Sequence, residues 1–288
     1  MQDNIPVNYL KTLGAQVIRP YGITIDQANQ IWVAESSVGR VTQFDDNGNK
    51  LLSFGEGEGN LFKKIGRLRQ PAGIAIDQSG NCYVPDFKLN QVFKYNAQGN
   101  FIKAFGSKGK EDGQFNHCWS IKIDSKGNLW VVDRDNHRLQ KFDPEGNFLF
   151  KIGKERNEGS KTGGFNQPSD LAFDGQGNLY VIDELNQRVL KFDAEGNFIL
   201  KFGKAHKDKG QFSDPRGIAI DSEQRIYVTD AYRDAVLVFN SIGYFLFAFF
   251  GPIQPRGSLY RPIGIAINNN HIYVSDNRND RIMVFSIG

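Results

Sequence analysis

The residues with the clearest chemical potential lie in one octapeptide, HCWSIKID, at positions 117–124. Cys118 beside His117 is a lead for thiol chemistry, although a cysteine packed in the core is the commoner role. A lyase-like zinc site would need several converging histidines. The chain has only four, and of these only His117 is expected near a site; the four are His117, His137, His206 and His271. Cys82 and Cys118 form no metal or redox motif.

The octapeptide is an irregular copy of a motif that the chain repeats. The other copies read RPYGITID, QPAGIAID, QPSDLAFD, DPRGIAID and RPIGIAIN. Five of the six copies have Pro in the second position, and four have Gly in the fourth. The third copy has Cys118, Ser120 and Lys122 instead, and the fourth has Asp170 in the glycine position. What the irregular residues do depends on what the regular motif builds.

The motif marks a repeat of roughly 47 residues. The copies begin near residues 20, 71, 118, 168, 215 and 262. Each contains four short apolar runs, and turn sequences such as GQGN and AEGN separate many of them. Four strands in a repeat of this length describe a β-propeller blade. We therefore predict a single all-β domain over residues 1–288, a six-bladed propeller with four antiparallel strands in each blade.

The two ends of the sequence complement each other. The sixth repeat stops at RIMVFSIG, after its third strand, and NYLKTLG at 8–14 resembles the missing fourth strand. We predict that residues 8–14 pair with residues near 281–286 and complete the sixth blade. This pairing would close the ring, whereas an open ring would leave two unpaired edges.

The repeat motifs QPxGIAID, YVxD, DxxNxR and GxFxxP resemble those of NHL-repeat six-bladed β-propellers, and the resemblance covers nearly the whole chain. It implies the propeller fold. It does not select a function, because that family includes protein-binding scaffolds, RNA-binding domains, sensor domains and a lyase. Related six-bladed propellers include calcium-dependent lactonases.

Residues that recur in every copy are predicted to have a structural role in the blade. The acid that ends the second strand is Glu35, Asp86, Asp133, Asp183, Asp230 and Asp276. In four copies an arginine follows five residues later, and we expect it to pair with the acid across the loop; these are Arg40, Arg138, Arg188 and Arg281. We prefer this interpretation to a metal site. The recurring aromatic residues are predicted to pack between blades; they are Phe44, Tyr95, Phe142, Phe192, Phe239 and Phe285.

Two positions on the innermost strand usually hold Gly and a small residue, as expected where strands crowd around the axis. Ser120 and Lys122 occupy these positions in the third copy, and Asp170 occupies the first of them in the fourth. We predict that Lys122 and Asp170 approach each other near the axis, because an isolated buried charge is costly. They would form either an ion pair in the channel or part of a ligand site.

The long connections between blades should lie on one face, together with the loops after YVxD. They hold 14 Lys and Arg residues against 8 Asp and Glu residues, whereas the net charge of the whole chain is only +3. Basic residues interleaved with aromatic ones suit an acidic peptide or single-stranded RNA. The alternative is that these charges only keep exposed loops soluble.

We therefore predict a non-catalytic binding scaffold whose basic, loop-rich face binds a protein or peptide, with single-stranded RNA as the alternative partner. The candidate ligand-binding residues are Tyr21, His117, Trp119, Lys122, Asp170, Arg216 and Arg261. Tracts 63–69 and 204–209 would add electrostatic steering. No catalytic residue, metal or cofactor is predicted. A metal-dependent lactonase or hydrolase, a lyase, and an engineered or consensus-like scaffold with no specific function are the remaining alternatives.

The sequence contains no apolar segment of signal-peptide or transmembrane length. We expect a monomer that does not associate with a membrane, and a cytoplasmic protein if the chain is full length. A signal segment removed earlier would leave no trace in this sequence.

Overall fold

The computed structural model describes residues 6–13, 17–56, 65–153, 164–203, 210–252 and 257–288. They form six four-stranded antiparallel sheets, whose innermost strands contact one another in a ring. The first strand of the chain, β1 (Val7–Leu13), belongs to the last blade. Blade 1 contains β2 (Pro20–Ile25), β3 (Ile31–Glu35), β4 (Arg40–Phe44) and β5 (Lys50–Phe54). Blade 2 contains β6 (Ala75–Ile76), β7 (Cys82–Asp86), β8 (Gln91–Tyr95) and β9 (Phe101–Phe105).

The other four blades follow in chain order. Blade 3 contains β10 (Cys118–Ile123), β11 (Leu129–Asp133), β12 (Arg138–Phe142) and β13 (Phe148–Ile152). Blade 4 contains β14 (Pro168–Phe173), β15 (Leu179–Asp183), β16 (Arg188–Phe192) and β17 (Phe198–Phe202). Blade 5 contains β18 (Pro215–Ile220), β19 (Ile226–Asp230), β20 (Ala235–Phe239) and β21 (Phe245–Phe249). Blade 6 contains β22 (Pro262–Asn268), β23 (His271–Asp276), β24 (Arg281–Ile287) and β1.

The predicted fold class, an all-β six-bladed propeller, is confirmed. The predicted closure is also present, because β1 pairs antiparallel with β24 from Val7 opposite Ile287 to Leu13 opposite Ile282. The ring edge that blade 6 would otherwise expose is thereby paired.

The two faces of the ring differ in their loops. One face carries the blade-to-blade connections and the loops between the second and third strands of each blade, and we call it the mouth face. Three of these loops contain short 3-10 helices, at Arg134–Asn136, Glu184–Asn186 and Asn277–Asn279. The opposite face carries the turns between the first and second strands and between the third and fourth strands.

The turns of the opposite face are built by local side-chain hydrogen bonds, as the DSKGN turn after β10 illustrates. Asp124 Oδ1 accepts hydrogen bonds from the backbone N–H groups of Lys126 and Asn128. Gly127 lies between them at φ +82°, a conformation that favours glycine. At most of the other hairpins the turn likewise starts with Asp or Asn and has a residue with positive φ, most often Gly, three positions later, so the turns were predictable from the sequence.

The core lies between blades. The second strands of the first five blades are buried along their whole length, because each is covered by a neighbouring blade on both sides. This explains the weak apolar alternation of the sequence. The six recurring aromatic residues each expose at most 2% of their surface, so their predicted packing role is confirmed.

The axis is as crowded as the sequence indicated. A Cβ atom added to Gly264 would lie 2.1 Å from the Tyr21 carbonyl oxygen, and one added to Gly217 would lie 2.3 Å from that of Ile263. Glycine is needed at these positions because the backbones of adjacent blades approach too closely for any side chain.

The recurring acids are bound within their blades. All four predicted arginine pairs form, with Nε–carboxylate distances of 2.6–2.7 Å. In the two blades without the arginine, Asp86 and Asp230 each accept hydrogen bonds from four backbone N–H groups. Burial raises the pKa of Asp133 and Asp276, whereas their Asn, Arg and backbone partners lower it. The acids are therefore structural elements of the blades.

Candidate functional site

The innermost strands surround a small cavity at the axis, on the mouth face. Its volume is about 30 Å³, which is room for roughly one water molecule. Five of the seven predicted site residues line it: Tyr21, Trp119, Lys122, Asp170 and Arg216. The other two, His117 and Arg261, immediately precede innermost strands β10 and β22. The structure thus places all seven residues around one mouth, and their role in binding stays a prediction.

The irregular residues of the third and fourth copies contact one another. The Ser120 hydroxyl donates to Asp170 Oδ1 at 2.5 Å, and the Ile218 N–H donates to Oδ2 at 3.0 Å. Lys122 Nζ lies 3.9 Å from Asp170 Oδ1, so the predicted approach of the two charges is confirmed. Asp170 is buried and has partners for both of its oxygens. The third copy departs from the motif because its serine and lysine complement the aspartate of the next blade.

A cluster of aromatic side chains borders the axial cavity on the side of blades 1 to 3. The Tyr21 and Trp119 rings meet edge to face at 5.7 Å, and the Phe87 and Trp119 rings do so at 5.4 Å. The Phe87 ring stacks on His117 at 4.0 Å. The Arg134 guanidinium lies 4.8 Å from the centre of the Trp119 ring, within cation–π distance. We call Tyr21, Phe87, His117 and Trp119 the aromatic cluster.

The His117 imidazole is held in a defined orientation. Its Nδ1 lies 2.6 Å from Asp135 Oδ2, and Gln167 Nε2 donates to the other oxygen of that carboxylate at 3.2 Å. The carboxylate favours the tautomer with hydrogen on Nδ1, which leaves Nε2 as an acceptor. The side chain is about one-third exposed. An imidazole oriented in this way can accept a proton or a hydrogen bond from a ligand.

The backbone of His117 and Arg261 is fixed by hydrogen bonds between blades. In four blades the residue before the innermost strand has a left-handed backbone, with φ near +50° to +60°. Its N–H donates to a side chain of the preceding blade: Arg19 to Asp280, His117 to Asn90, Gln167 to His137, and Arg261 to Asp234. These contacts were not predicted from the sequence, because each one joins residues of different repeats.

Arg134, Arg216 and Arg261 of the mouth face are paired with acids. The Arg134 guanidinium binds both oxygens of Glu184, and Arg216 bridges Glu184 and Asp214 at 3.2 and 2.7 Å. Arg261 Nη2 lies 3.5 Å from the second oxygen of Asp214. Arg216 exposes only 17% of its side chain. The cations of this face were predicted from the sequence, but the pairing role of Glu184 was not. The row of alternating charges has little net charge.

Cys118 is fully buried, and burial raises the pKa of its thiol, which disfavours the thiolate needed for thiol chemistry. Within the described residues, no three His, Cys, Asp or Glu side chains are grouped so that they could hold a metal ion. Of the predicted steering tracts, residues 63, 64 and 204–209 lie outside the described residues. Arg67 and Arg69 are exposed.

Comparison with known families agrees with the fold. The NHL repeat model matches residues 115–142 and 259–285, and a family model described as a 6-bladed beta-propeller matches residues 160–248. The chain is a six-bladed β-propeller that contains NHL repeats. A search of curated proteins returns no match.

Solved structures similar to this NHL propeller span its whole length. A protein of unknown function from Bacteroides thetaiotaomicron has a TM-score of 0.74 at 14% identity, over 99% of this chain and 77% of that chain. A virginiamycin B lyase from Staphylococcus aureus has a TM-score of 0.64 at 14% identity, over 98% and 99%. A gluconolactonase from Xanthomonas campestris has a TM-score of 0.67 at 14% identity, over 100% and 96%. At these identities the likeness shows the fold alone.

The described part of the NHL propeller includes no helix with the length and apolar character needed to cross a bilayer.

Proposed function

We propose that this NHL propeller is a binding protein that holds a segment of a protein or peptide on its mouth face. The observation that supports this proposal is a set of exposed apolar side chains in the loops of that face. They belong to four different blades and are Ile18, Leu185, Tyr232 and Tyr260. These side chains are available to contact a partner that lies across the mouth.

The composition of the mouth also suits a protein partner. Tyr, Trp and Arg are the residues that most often dominate binding energy at protein interfaces, and Tyr21, Trp119 and Arg216 line the same cavity. Tyr21 and Trp119 contact each other, and Arg216 is bound by Glu184 and Asp214, so all three are held in place before a ligand arrives. A preorganised surface loses less entropy on binding, so more of the contact energy contributes to affinity.

The ion pairs of the mouth favour a peptide over single-stranded RNA. Nucleic-acid binding depends on Lys and Arg side chains that are available to phosphates. Here Arg134 and Arg216 are already bound to Glu184. A phosphate would have to displace that carboxylate, whereas an apolar side chain can pack on the aromatic cluster without breaking an ion pair.

Two exposed tyrosines allow a matched test of this proposal. Tyr232 is 81% exposed in a mouth-face loop, and Tyr244 is 69% exposed in a turn of the opposite face. Peptides selected by display against the intact chain should bind Tyr232→Ala or Trp119→Ala at least about tenfold more weakly, a loss of about 1.4 kcal/mol. The Tyr244→Ala variant should retain full affinity, as measured by fluorescence anisotropy with the labelled peptides.

The opposite pattern would refute the mouth face as the binding surface. Peptides that bind Tyr244→Ala more weakly than they bind the wild type, or that bind all three variants equally well, would contradict the proposal. Circular dichroism melting of each variant separates lost contacts from lost folding.

The oriented imidazole supports a second candidate function, general-base catalysis at the mouth. His117 Nδ1 is bound by Asp135, and the ring stacks on Phe87, which contacts the Trp119 that lines the axial cavity. Solved structures with a similar fold include a streptogramin B lyase and a gluconolactonase. These names supply two substrates for a direct assay.

If His117 is a general base, the intact chain should convert a streptogramin B antibiotic or gluconolactone. The His117→Gln variant should then be at least about 100-fold slower, because a base of this kind contributes roughly 10²–10⁴-fold to the rate. His271→Gln, an exposed histidine at the start of β23, is the matched control and should keep full activity. Absence of turnover for both substrates, or equal rates in both variants, would count against catalysis at His117.

A further inference from the structure

Three cations share one cavity on the mouth face between blades 1 and 2. Arg67, Arg69 and Lys88 are exposed, and they line a space of about 420 Å³. The remaining lining residues are Ser37, Val38, Gly39, Glu56 and Leu68. A cavity of this size accommodates an amino-acid side chain or a small ligand. We call Arg67, Arg69 and Lys88 the basic pocket.

The basic pocket differs from the mouth in its ion pairing. Among the described residues, no hydrogen bond or ion pair involves the side chains of Arg67, Arg69 or Lys88. The one acid in the lining, Glu56, is bound by Arg40 Nη1 at 2.9 Å. Within the described ranges, these three positive charges therefore line one cavity without a side-chain partner, an arrangement that an anionic ligand would stabilise.

Hydrogen bonds to the acid of blade 2, Asp86, fix the backbone that carries these cations. Asp86 accepts hydrogen bonds from the backbone N–H groups of Arg69 and Lys88, at 2.6 and 3.0 Å. This blade has Gln91 where four others have arginine, so the carboxylate binds the loops directly. Leu68, between the two arginines, is buried and anchors the segment. The positions from which the cations extend are thus fixed, although their side chains are exposed.

The basic pocket adjoins the aromatic cluster. Lys88 directly follows Phe87, whose ring stacks on His117 and contacts the edge of Trp119. A peptide that packs an apolar or aromatic side chain on the cluster therefore has the basic pocket within reach of a nearby residue. An oxyanion there could form charge-assisted hydrogen bonds with the two guanidinium groups.

We propose that the basic pocket binds an anionic side-chain group of the partner peptide, a carboxylate or a phosphate. This proposal rests on the proposed function, peptide binding on the mouth face, and names the chemistry of the segment bound. A peptide is favoured over RNA because the two arginines that lie nearest the aromatic cluster and the axial cavity, Arg134 and Arg216, are already paired with Glu184, whereas an RNA strand would need a line of available cations along its backbone.

The test uses a fluorescent random copolymer of glutamate and tyrosine, which combines anionic and aromatic side chains, with the intact chain. Anisotropy titrations are made at fixed ionic strength with wild type and with Arg67→Gln/Arg69→Gln. The matched control, Lys50→Gln/Lys126→Gln, removes the same charge at two exposed lysines outside the basic pocket. We expect the arginine double variant to bind at least about tenfold more weakly, and the control to change less than about twofold.

Competition identifies the anion. Inorganic phosphate that displaces the copolymer better than chloride at equal ionic strength would assign a phosphate group. If phosphate and chloride compete equally well, and binding still depends on Arg67 and Arg69, the bound groups are carboxylates. An oligouridylate that binds more tightly than the copolymer, and depends on the same arginines, would overturn the peptide assignment in favour of RNA.

Failure of this inference can be told from failure of the proposed function. If peptides selected by display depend on Tyr232 and Trp119 but not on Arg67 and Arg69, the mouth binds peptides and the basic pocket plays no part. If the copolymer does not bind, or binds the arginine double variant as well as the control, the anionic assignment is wrong. If the copolymer depends on the arginines but not on Trp119 or Tyr232, the pocket stands and the mouth proposal falls.

Discussion

Deletion of residues 1–13 is expected to lower the free energy of unfolding by about 5 kcal/mol or more, and the melting temperature by about 10–20 °C. The deletion removes the whole of β1, including the buried Leu13 and the Tyr9 ring that meets Phe285 at 6.2 Å. It also turns β24 into an exposed edge strand, which favours aggregation. Differential scanning calorimetry of the truncated and full chains measures the effect.

A synthetic peptide with the sequence of residues 6–13, PVNYLKTL, provides the control. Added in excess to the truncated chain, it should pair with β24 and raise the melting temperature again. A scrambled peptide of the same composition should not. A truncated chain that melts within about 2 °C of the full chain would show that closure by β1 contributes little to stability.

The second large effect is expected at the buried ion pair of blade 4. Arg188→Ala should destabilise the fold by about 3–5 kcal/mol, because it leaves the fully buried Asp183 carboxylate without its cation. Arg188 also donates to the Gly164 carbonyl at 2.8 Å, a contact that ties the incoming connection to the blade. Urea denaturation followed by tryptophan fluorescence measures the loss.

Arg233→Ala is the matched control. Its guanidinium lies 3.8 Å from Asp230, the equivalent acid of blade 5, but the side chain is 42% exposed and four backbone N–H groups already bind that acid. We expect a loss below about 1 kcal/mol. Equal losses for the two arginine variants would mean that burial of the pair does not determine its contribution.

The architecture was accessible from the sequence because it depends on local and repeated signals. Asp, Gly and Asn define the turns at most hairpins, as Asp124 and Gly127 show. Repetition of the unit sets the number of blades, and the similarity of 8–14 to a fourth strand predicts the closure by β1. Even the contact between Lys122 and Asp170 followed from comparing equivalent positions of adjacent blades, because the repeat fixes which residues are neighbours.

The electrostatics of the mouth face were not accessible in the same way. The sequence predicted a basic face, yet a count of charges cannot show which of them are paired. Glu184 lies 50 residues from Arg134 and 32 from Arg216, and only the packing of three blades brings them together.

By itself, the sequence determined the strands, the turns, the six blades, the closing strand and the positions that surround the axis, since these follow from short-range chemistry and internal repetition. Only the tertiary structure decided which cations are neutralised, at Arg134 and Arg216, and which are left without a described partner, at Arg67, Arg69 and Lys88. The physical reason is that an ion pair needs two groups within about 4 Å. Distances of that kind between residues of different blades are set by how the blades pack, and no local sequence pattern records them.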